Sequence, residues 1–323
     1  MTILITGIHG FVGSNLISYL KETHTIYGLD IIAPKKEGVI KTFSWNDVET
    51  GRATSLPKFD TIIHLAGKAH DTKNKSQAQA YFDINTGLTQ KIFDYFLQSG
   101  AKQFIFFSSV KAAADTVEGD ILTEDVIPNP VGPYGESKIK AEEYIRSMLD
   151  GGWRVKPDMT DKAKRIYILR PCMIHGPGNK GNLNLLYKVV SKGIPWPLGA
   201  FDNKRSFMNI RNLSYIIEQF ILKNPESGIY HLADDEPLST NELIQLIAAS
   251  KNKKVRIRHI NKSFITCIAQ IGTFCKLPFN SERLRKLTEN YVVSNQKMKT
   301  ALEITHLPVD VRTGLKHTLE TFG

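Results

Sequence analysis

Cysteine is scarce in this chain: Cys172, Cys267 and Cys275 are the three among 323 residues, and no two form a CxxC pair. So few thiols exclude a disulfide framework and point to a reducing, cytoplasmic compartment. Long apolar runs are also missing. None approaches the ~20 residues of a membrane-crossing helix, and the segment Phe264–Leu277, apolar over 14 residues, reads as a core or interface helix. The first residues, MTILITGIHGFVG, have no basic leader and no cleavage pattern, so a first strand is expected there rather than a secretory signal. No repeat or low-complexity tract is visible. No spacing joins His175 or Cys172 to further ligand residues, which sets a metal site aside.

What the sequence does have is an ordinary hydrophobic content of 41%, enough to bury a sizeable core. Its length suits two domains, or one large domain with a smaller lobe. The charge is unbalanced, at +10. The densest basic cluster, Lys251, Lys253, Lys254, Arg256 and Arg258, lacks the interleaved aromatic residues that stack nucleic-acid bases, so no nucleic-acid partner is expected. A basic surplus also suits an anionic small ligand such as a nucleotide diphosphate. A solvated basic face and adhesion to an anionic membrane surface are the other readings of the cluster.

The first half alternates strand-like and helix-like segments. Ile3–Thr6, Thr25–Asp30, Thr61–Leu65, Phe104–Ser108 and Ile166–Arg170 read as strands. Helices are expected over Ser14–Lys21, Gln77–Gln98 and Ser137–Met148. Nearly continuous apolar strands separated by helices predict an α/β fold, a Rossmann-type doubly wound parallel sheet covered on both faces. After Arg170, prolines and glycines punctuate the chain up to Gly199. Helices are expected again at Asn212–Lys223 and Thr240–Ser250, with a strand at Ile229–Leu232 between them. Residues 1–170 therefore read as a dinucleotide-binding domain to which 207–232 returns. Residues 171–206 and 233–323 read as a smaller C-terminal substrate lobe. The hydrophilic stretch Gly151–Lys164 is expected to be an exposed loop.

Glycines 7, 10 and 13 in TGIHGFVG follow the first strand and open a helix. Glycine permits a tight turn and close approach of backbone to pyrophosphate, which the helix N-terminus attracts. Asp30 ends the second strand, where a carboxylate accepts from the adenosine ribose and repels a 2′-phosphate. That favours NAD, although Lys35 and Lys36 stand close by. Tyr134 and Lys138 are four apart and share one face of a helix. A phenol titrates near pH ~10, and a neighbouring ammonium and a cationic nicotinamide both favour its phenolate. Ser109, at the end of the apolar strand, is placed to hydrogen-bond the same substrate oxygen.

The glycine spacing, HLAG at His64–Gly67, FFSS at Phe106–Ser109, YGESK at Tyr134–Lys138, LRPCMIHGPG at Leu169–Gly178 and RSFMNIRNL at Arg205–Leu213 together resemble the extended short-chain dehydrogenases/reductases. Within that family the chain looks most like nucleotide-sugar 4-epimerases and the 4-keto-sugar reductases near them. The resemblance implies Tyr134 as base, Lys138 on the nicotinamide ribose and Ser109 as the third catalytic member, with Ser109 and Tyr134 also contacting the sugar. It implies an NAD site built from Gly7, Gly10, Phe11, Val12, Gly13, Asp30, Asp47, Val48, Leu65, Ala66, Gly67, Lys68, Asn85, Tyr134, Lys138 and Pro171. It places Asn182 and Arg205 on the diphosphate of a nucleotide-diphosphate sugar, with Arg283 or Arg285 as a further contact, and it implies a homodimer through the Gln77–Gln98 and Ser137–Met148 helices.

The family's 4,6-dehydratases carry an acidic pair after the active-site hydroxyl residue, where this chain has Val110 and Lys111; dehydration is set aside. Many 4-epimerases have a Tyr-Gly pair where Ala113 and Ala114 stand. The expected activity is a UDP-hexose or UDP-N-acetylhexosamine 4-epimerase working through a 4-keto sugar, in polysaccharide biosynthesis. A 4-keto-6-deoxy-hexosamine reductase would use the same three residues, and a non-catalytic dinucleotide-binding scaffold would need none of them.

Overall fold

The computed structural model describes residues 1–46, 56–68, 77–150, 164–179, 181–277 and 279–322, with no account of the side chains at 149, 150 and 182. Asp47, Val48 and all of the expected 151–164 loop except Lys164 lie outside them.

Among the described residues there are nine strands: β1 (Thr2–Thr6), β2 (Thr25–Asp30), β3 (Lys41–Ser44), β4 (Thr61–His64), β5 (Gln103–Phe107), β6 (Arg165–Pro171), β7 (Met173–His175), β8 (Phe207–Asn209) and β9 (Gly228–Leu232). Seven form one parallel sheet in the order β3-β2-β1-β4-β5-β6-β9. The chain winds outward from β1 in both directions, so the crevice beyond the carboxyl ends of β1 and β4 is the switch point where such sheets bind ligands. β7 and β8 pair separately.

Side-chain alternation along each strand divides the core. On one face Ile3, Ile5, Ile63 and Ile105 meet Leu16, Ile17 and Leu20 of the Phe11–Leu20 helix and Ile216, Ile217 and Phe220 of the Ile210–Lys223 helix. On the other, Leu4, Ile62, Phe104 and Phe106 meet Ile92, Phe93 and Phe96 of the Leu88–Gln98 helix and Ala141 and Ile145 of the Pro133–Asp150 helix. Strands buried on both sides have no polar face to show, which is why they read as unbroken apolar runs.

A second core gathers Leu183, Trp196, Leu198, Leu243, Ile247, Leu315 and Leu319. The RSFMNIRNL segment ties it to the sheet. Buried Asp234 accepts from the backbone N–H of Asn209 at 3.0 and 3.1 Å and from Asn212 Nδ2 at 2.8 Å. Asn212 also exchanges two hydrogen bonds with the backbone of Val309.

Three local differences from the sequence expectation matter. β3 is an edge strand of four residues, too short for a periodic signal. The helix expected over Gln77–Gln98 is an α-turn (Ala78–Tyr81), a π-helical stretch (Phe82–Gly87) and an α-helix (Leu88–Gln98). The helix expected from Ser137 begins at Pro133, a first-turn position where proline's missing N–H costs no hydrogen bond. Tyr134 therefore stands on the same helix as Lys138.

Candidate functional site

The glycine loop leaves β1 and runs into the Phe11–Leu20 helix, whose N-cap, Gly10, supplies no side-chain cap. Gly7 has φ +68°, and a Cβ there would lie 2.8 Å from the Ala66 backbone. At Gly13 a Cβ would lie 2.7 Å from the carbonyl oxygens of Gly7 and Ile8. Glycine is thus required at both positions, and the helix N–H groups are left open toward the switch point. Asp30 Oδ2 accepts from the His9 N–H at 2.9 Å and Oδ1 from Ile31 at 2.8 Å, so the carboxylate braces the loop. Lys36 donates to Ser14 Oγ at 2.6 Å. Phe11 and Val12 are half-buried on the helix, and Asn15 Nδ2 donates to Pro177 O at 3.1 Å, which brings the GPG segment against the loop. This open, glycine-lined cradle with an acidic group at the second strand's end fits NAD.

Behind the cradle runs a chain of buried hydrogen bonds. The Ala66 N–H donates to Thr6 Oγ1 at 3.1 Å, and Thr6 Oγ1 meets His64 Nδ1 at 2.7 Å. His64 Nε2 meets Thr89 Oγ1 at 2.9 Å, and Thr89 donates to Asn85 O at 2.6 Å. Each hydroxyl has one proton to give, so the chain assigns the imidazole hydrogen to Nε2. Burial, aided by the Lys138 charge, pushes His64 down to about 3 and keeps it neutral. Asn85, buried in the π-helical stretch, accepts from the Lys68 N–H at 2.7 Å and donates to Ser137 Oγ at 2.9 Å. Leu65 and Pro171 lie at the carboxyl ends of β4 and β6.

Ser109, Tyr134 and Lys138 converge. Ser109 follows β5 and caps the Val110–Ala113 helix, accepting from the Lys111 N–H at 3.2 Å. It also hydrogen-bonds the Tyr134 phenol, an interaction that lowers the phenol's pKa. Burial outweighs that bond and leaves Tyr134 above the ordinary phenol range, with Tyr81 adding to the rise. Lys138 directs its ammonium to Phe107 O at 2.8 Å, so the easily formed phenolate expected from the sequence needs the charge of a bound cofactor in addition to that ammonium. A Cβ on Gly67 would stand 3.1 Å from Lys138 Nζ and 3.0 Å from Asn85 Oδ1, so the β4 end, the ammonium and the amide meet at one point. Lys68 points its ammonium over the Tyr81 ring at 5.5 Å, and Tyr81 packs edge-on to Tyr134 at 6.4 Å.

Burial lowers Lys138 from 10.5 to about 8, against the opposing pull of Glu142. The folded protein therefore releases this proton before the unfolded chain does. Between about pH 8 and 10.5 the unfolded state binds more protons, so the Lys138 contribution to stability rises with pH across that window. Activity should run the other way: kcat/KM is expected to fall on the alkaline side through an apparent pKa of about 8, as the charge supporting the phenolate disappears. A kcat/KM profile flat from about pH 7 to 9.5, a range bracketing that pKa, would remove Lys138 from the reaction.

Arg205 and Arg285, expected on the substrate diphosphate, lie in a cationic group with Lys111. Arg205 is pinned by Leu238 and Tyr291 through its backbone, its Nη1 donates to Lys286 O, and burial lowers its pKa. Lys111 pairs with Asp115 at 3.0 Å and lies 4.4 Å above the Tyr291 ring; Arg285 joins Asp115 at 3.2 Å. Asn182 opens the Asn182–Ser191 helix.

Sequence reasoning overlooked Thr6, Thr89 and Ser137, and the linking role of His64. His64 and Ser137 lie inside the quoted HLAG and YGESK motifs, so the signal was adjacency to a motif. It also missed Glu142, which receives Arg170 Nε at 2.9 Å and Nη2 at 2.5 Å and accepts from Ser108 Oγ. The i+4 step from Lys138 was its only trace.

The chain is similar to known proteins in sequence and in fold. The family model described as NAD dependent epimerase/dehydratase family matches residues 3–233. The UDP-glucose 4-epimerase of Vibrio cholerae is 31% identical over 99% of this chain and 95% of its own length. An N-acetyl-alpha-D-glucosaminyl-diphospho-ditrans,octacis-undecaprenol 4-epimerase of Escherichia coli O157:H7 is 28% identical over 92% of this chain and 84% of its own. The crystal structure of a UDP-glucuronic acid 4-epimerase from Bacillus cereus in complex with NAD superposes with a TM-score of 0.74, covering 100% of this chain and 98% of that one at 18% identity, a likeness of fold. With its glycine cradle, parallel sheet and Ser109–Tyr134–Lys138 cluster, the chain belongs to the NAD dependent epimerase/dehydratase family.

Proposed function

We propose that the protein is a 4-epimerase of hexoses or N-acetylhexosamines carried on a diphosphate, with UDP as the expected carrier. The observation that carries this reading is the hydrogen bond between Ser109 and the Tyr134 phenol, on the helix that also bears Lys138, near the switch point of the sheet. When bound, NAD supplies a hydride acceptor that is regenerated within one turnover. Gly7, Gly10, Gly13, Phe11, Val12 and Asp30 would hold its diphosphate and ribose, Leu65, Ala66, Gly67, Lys68 and Pro171 would flank it, and Asp47 and Val48 would meet the adenine edge.

Tyr134 takes the proton of the sugar 4-hydroxyl and returns it to the same oxygen once the 4-keto sugar has turned to present the opposite face of its carbon 4. Ser109 holds that oxygen while the phenol works. Lys138 stabilises the phenolate and positions the cofactor ribose. Asn85 fixes the Lys68 backbone and, through Ser137, the helix that bears Tyr134. Arg205 offers the diphosphate a guanidinium fork, together with the N–H groups at the start of the Asn182–Ser191 helix. The bond from sugar to diphosphate is common to UDP-sugars and to the polyprenyl-linked sugar named for the Escherichia coli relative, so these phosphate contacts serve either carrier. Val110 and Lys111, the latter paired with Asp115, give the two positions after Ser109 no acid for dehydration. A homodimer through the Leu88–Gln98 and Pro133–Asp150 helices, a cytoplasmic location and a part in polysaccharide biosynthesis complete the reading.

The test is incubation with UDP-glucose, UDP-galactose and their N-acetylated forms, with catalytic NAD and no NADH, and products read by NMR. Repeated turnover to the 4-epimer is the expected result. No epimer in that assay, together with stoichiometric NADH consumption in a parallel incubation of a UDP-4-keto-6-deoxy-hexosamine with NADH, would replace this reading with the reductase.

A further inference from the structure

The Lys262–Phe274 helix has two apolar faces. One is inward: Ile265, Ala269 and Gly272 are buried, with Phe279 packed against the same core. The other faces solvent. At about 100° per residue, Phe264, Cys267, Ile268, Ile271, Phe274 and Cys275 fall within one arc of roughly 120°, and all six are exposed. Phe274 is 90% accessible, Phe264 59% and Ile271 55%, and Leu277 just beyond the helix is 51%. Thr266, Gln270 and Thr273 occupy the remaining side. No described residue covers the outward arc. Contiguous apolar surface of this kind marks an interaction site.

Charge identifies the partner. Residues 251–288 contain ten Lys or Arg and one Glu, nine of the chain's ten net positive charges, so the rest of the protein is nearly neutral. All ten basic side chains are exposed. Lys262 begins the helix and Lys276 follows its end, so cations stand at both ends of the apolar arc. The Lys251–Arg258 run precedes this helix in the chain and lies against the Asn182–Ser191 helix: Lys253 donates to Ser191 O at 2.9 Å, and Lys251 lies over the Tyr187 ring at 5.4 Å. Beside those contacts Leu185, Val189 and Ile194 are exposed, with Lys188 and Lys192 between and around them.

We propose that this face seats the protein on an anionic lipid surface, with the Lys262–Phe274 helix lying flat and its aromatic and aliphatic side chains entering the headgroup boundary. The helix has 13 residues and is about 20 Å long at 1.5 Å per residue, too short to cross a bilayer, and no described helix is long and apolar enough to do so. A flat amphipathic helix instead gains from apolar insertion and from attraction between lysines and acidic headgroups. A second copy is a poorer occupant, because pairing two such faces would oppose two clusters of like charge. Membrane seating is independent of the reaction assigned above.

The experiment is flotation of the full chain with vesicles of phosphatidylglycerol and phosphatidylcholine, against phosphatidylcholine alone, at low and high salt. Partitioning to the anionic vesicles should be at least about tenfold stronger and should weaken steeply with salt. The combined variant Phe264→Glu, Ile271→Glu, Phe274→Glu should lose at least about tenfold of that partitioning and keep the wild-type melting curve, since all three side chains are exposed. Failure of the wild type to bind anionic vesicles at low salt overturns the proposal. So does a triple variant that binds equally well, which would reduce the effect to bulk charge. Self-association in sedimentation velocity that the triple variant abolishes, without vesicle binding, would assign the face to a second copy.

Discussion

Tyr134→Phe is expected to lower kcat by about 10²- to 10⁴-fold, the range that a positioned general acid–base supplies, while NAD affinity stays within a few-fold of wild type. The substitution removes one oxygen from a half-buried side chain and leaves the ring packed edge-on to Tyr81. The glycine cradle, Asp30 and the Lys138–Phe107 bond do not depend on that oxygen. Single-turnover kinetics with a UDP-sugar and titration with NAD separate the two quantities. A variant with undiminished turnover would show that the phenol handles no proton. Loss of NAD binding together with activity would make Tyr134 a cofactor anchor rather than a base.

The second large effect lies beneath the site. Glu142 is one helical turn past Lys138 on the Pro133–Asp150 helix. It is fully buried, as is Arg170, whose Nε and Nη2 take both carboxylate oxygens, and Ser108 donates to Oε1. Arg170→Met leaves that carboxylate without its counter-charge in the interior, which costs about 3–5 kcal/mol. Replacing both residues, with Glu142→Leu added, removes the stranded charge as well and should restore most of the loss. Urea unfolding of the two variants makes the comparison. An Arg170→Met protein within about 1 kcal/mol of wild type, as for an exposed pair, would mean that solvent reaches the carboxylate.

How much of this was legible in the sequence depends on what each residue has to do. Ile3–Thr6 and Phe104–Ser108 were readable because strands buried on both faces tolerate little but apolar side chains. Gly7 was readable because a backbone with φ +68° against Ala66 admits little else. Tyr134 and Lys138 were readable as a pair four residues apart. The helix start at Pro133 was not, since the preceding Pro128, Asn129, Pro130 and Gly132 look like uninterrupted loop. The π-helical stretch was not legible either. Its register is set by Asn85 and Thr86 bonding to Ser137, 51 and 52 residues away, and local periodicity carries no such information. The same holds for Asp234, whose partners Asn209 and Asn212 look from the sequence like ordinary polar residues of a motif. The basic cluster at 251–258 was visible, but the outward turn of Phe264, Ile271 and Phe274 depends on which side of their helix the second core claims.

The position of β9 has a consequence for biosynthesis. Gly228–Leu232 pairs with Arg165–Pro171, so a nascent chain that has emerged only as far as residue 206 presents β6 as a bare edge, with unmet backbone groups and Ile168 and Leu169 stripped of a neighbour. Unpaired edges of this kind invite association between chains. The lobe segment between β6 and β9 must leave the ribosome before the sheet closes, which makes synthesis of roughly the first seventy per cent of the chain, up to Leu232 of 323 residues, the interval in which chaperone protection matters most.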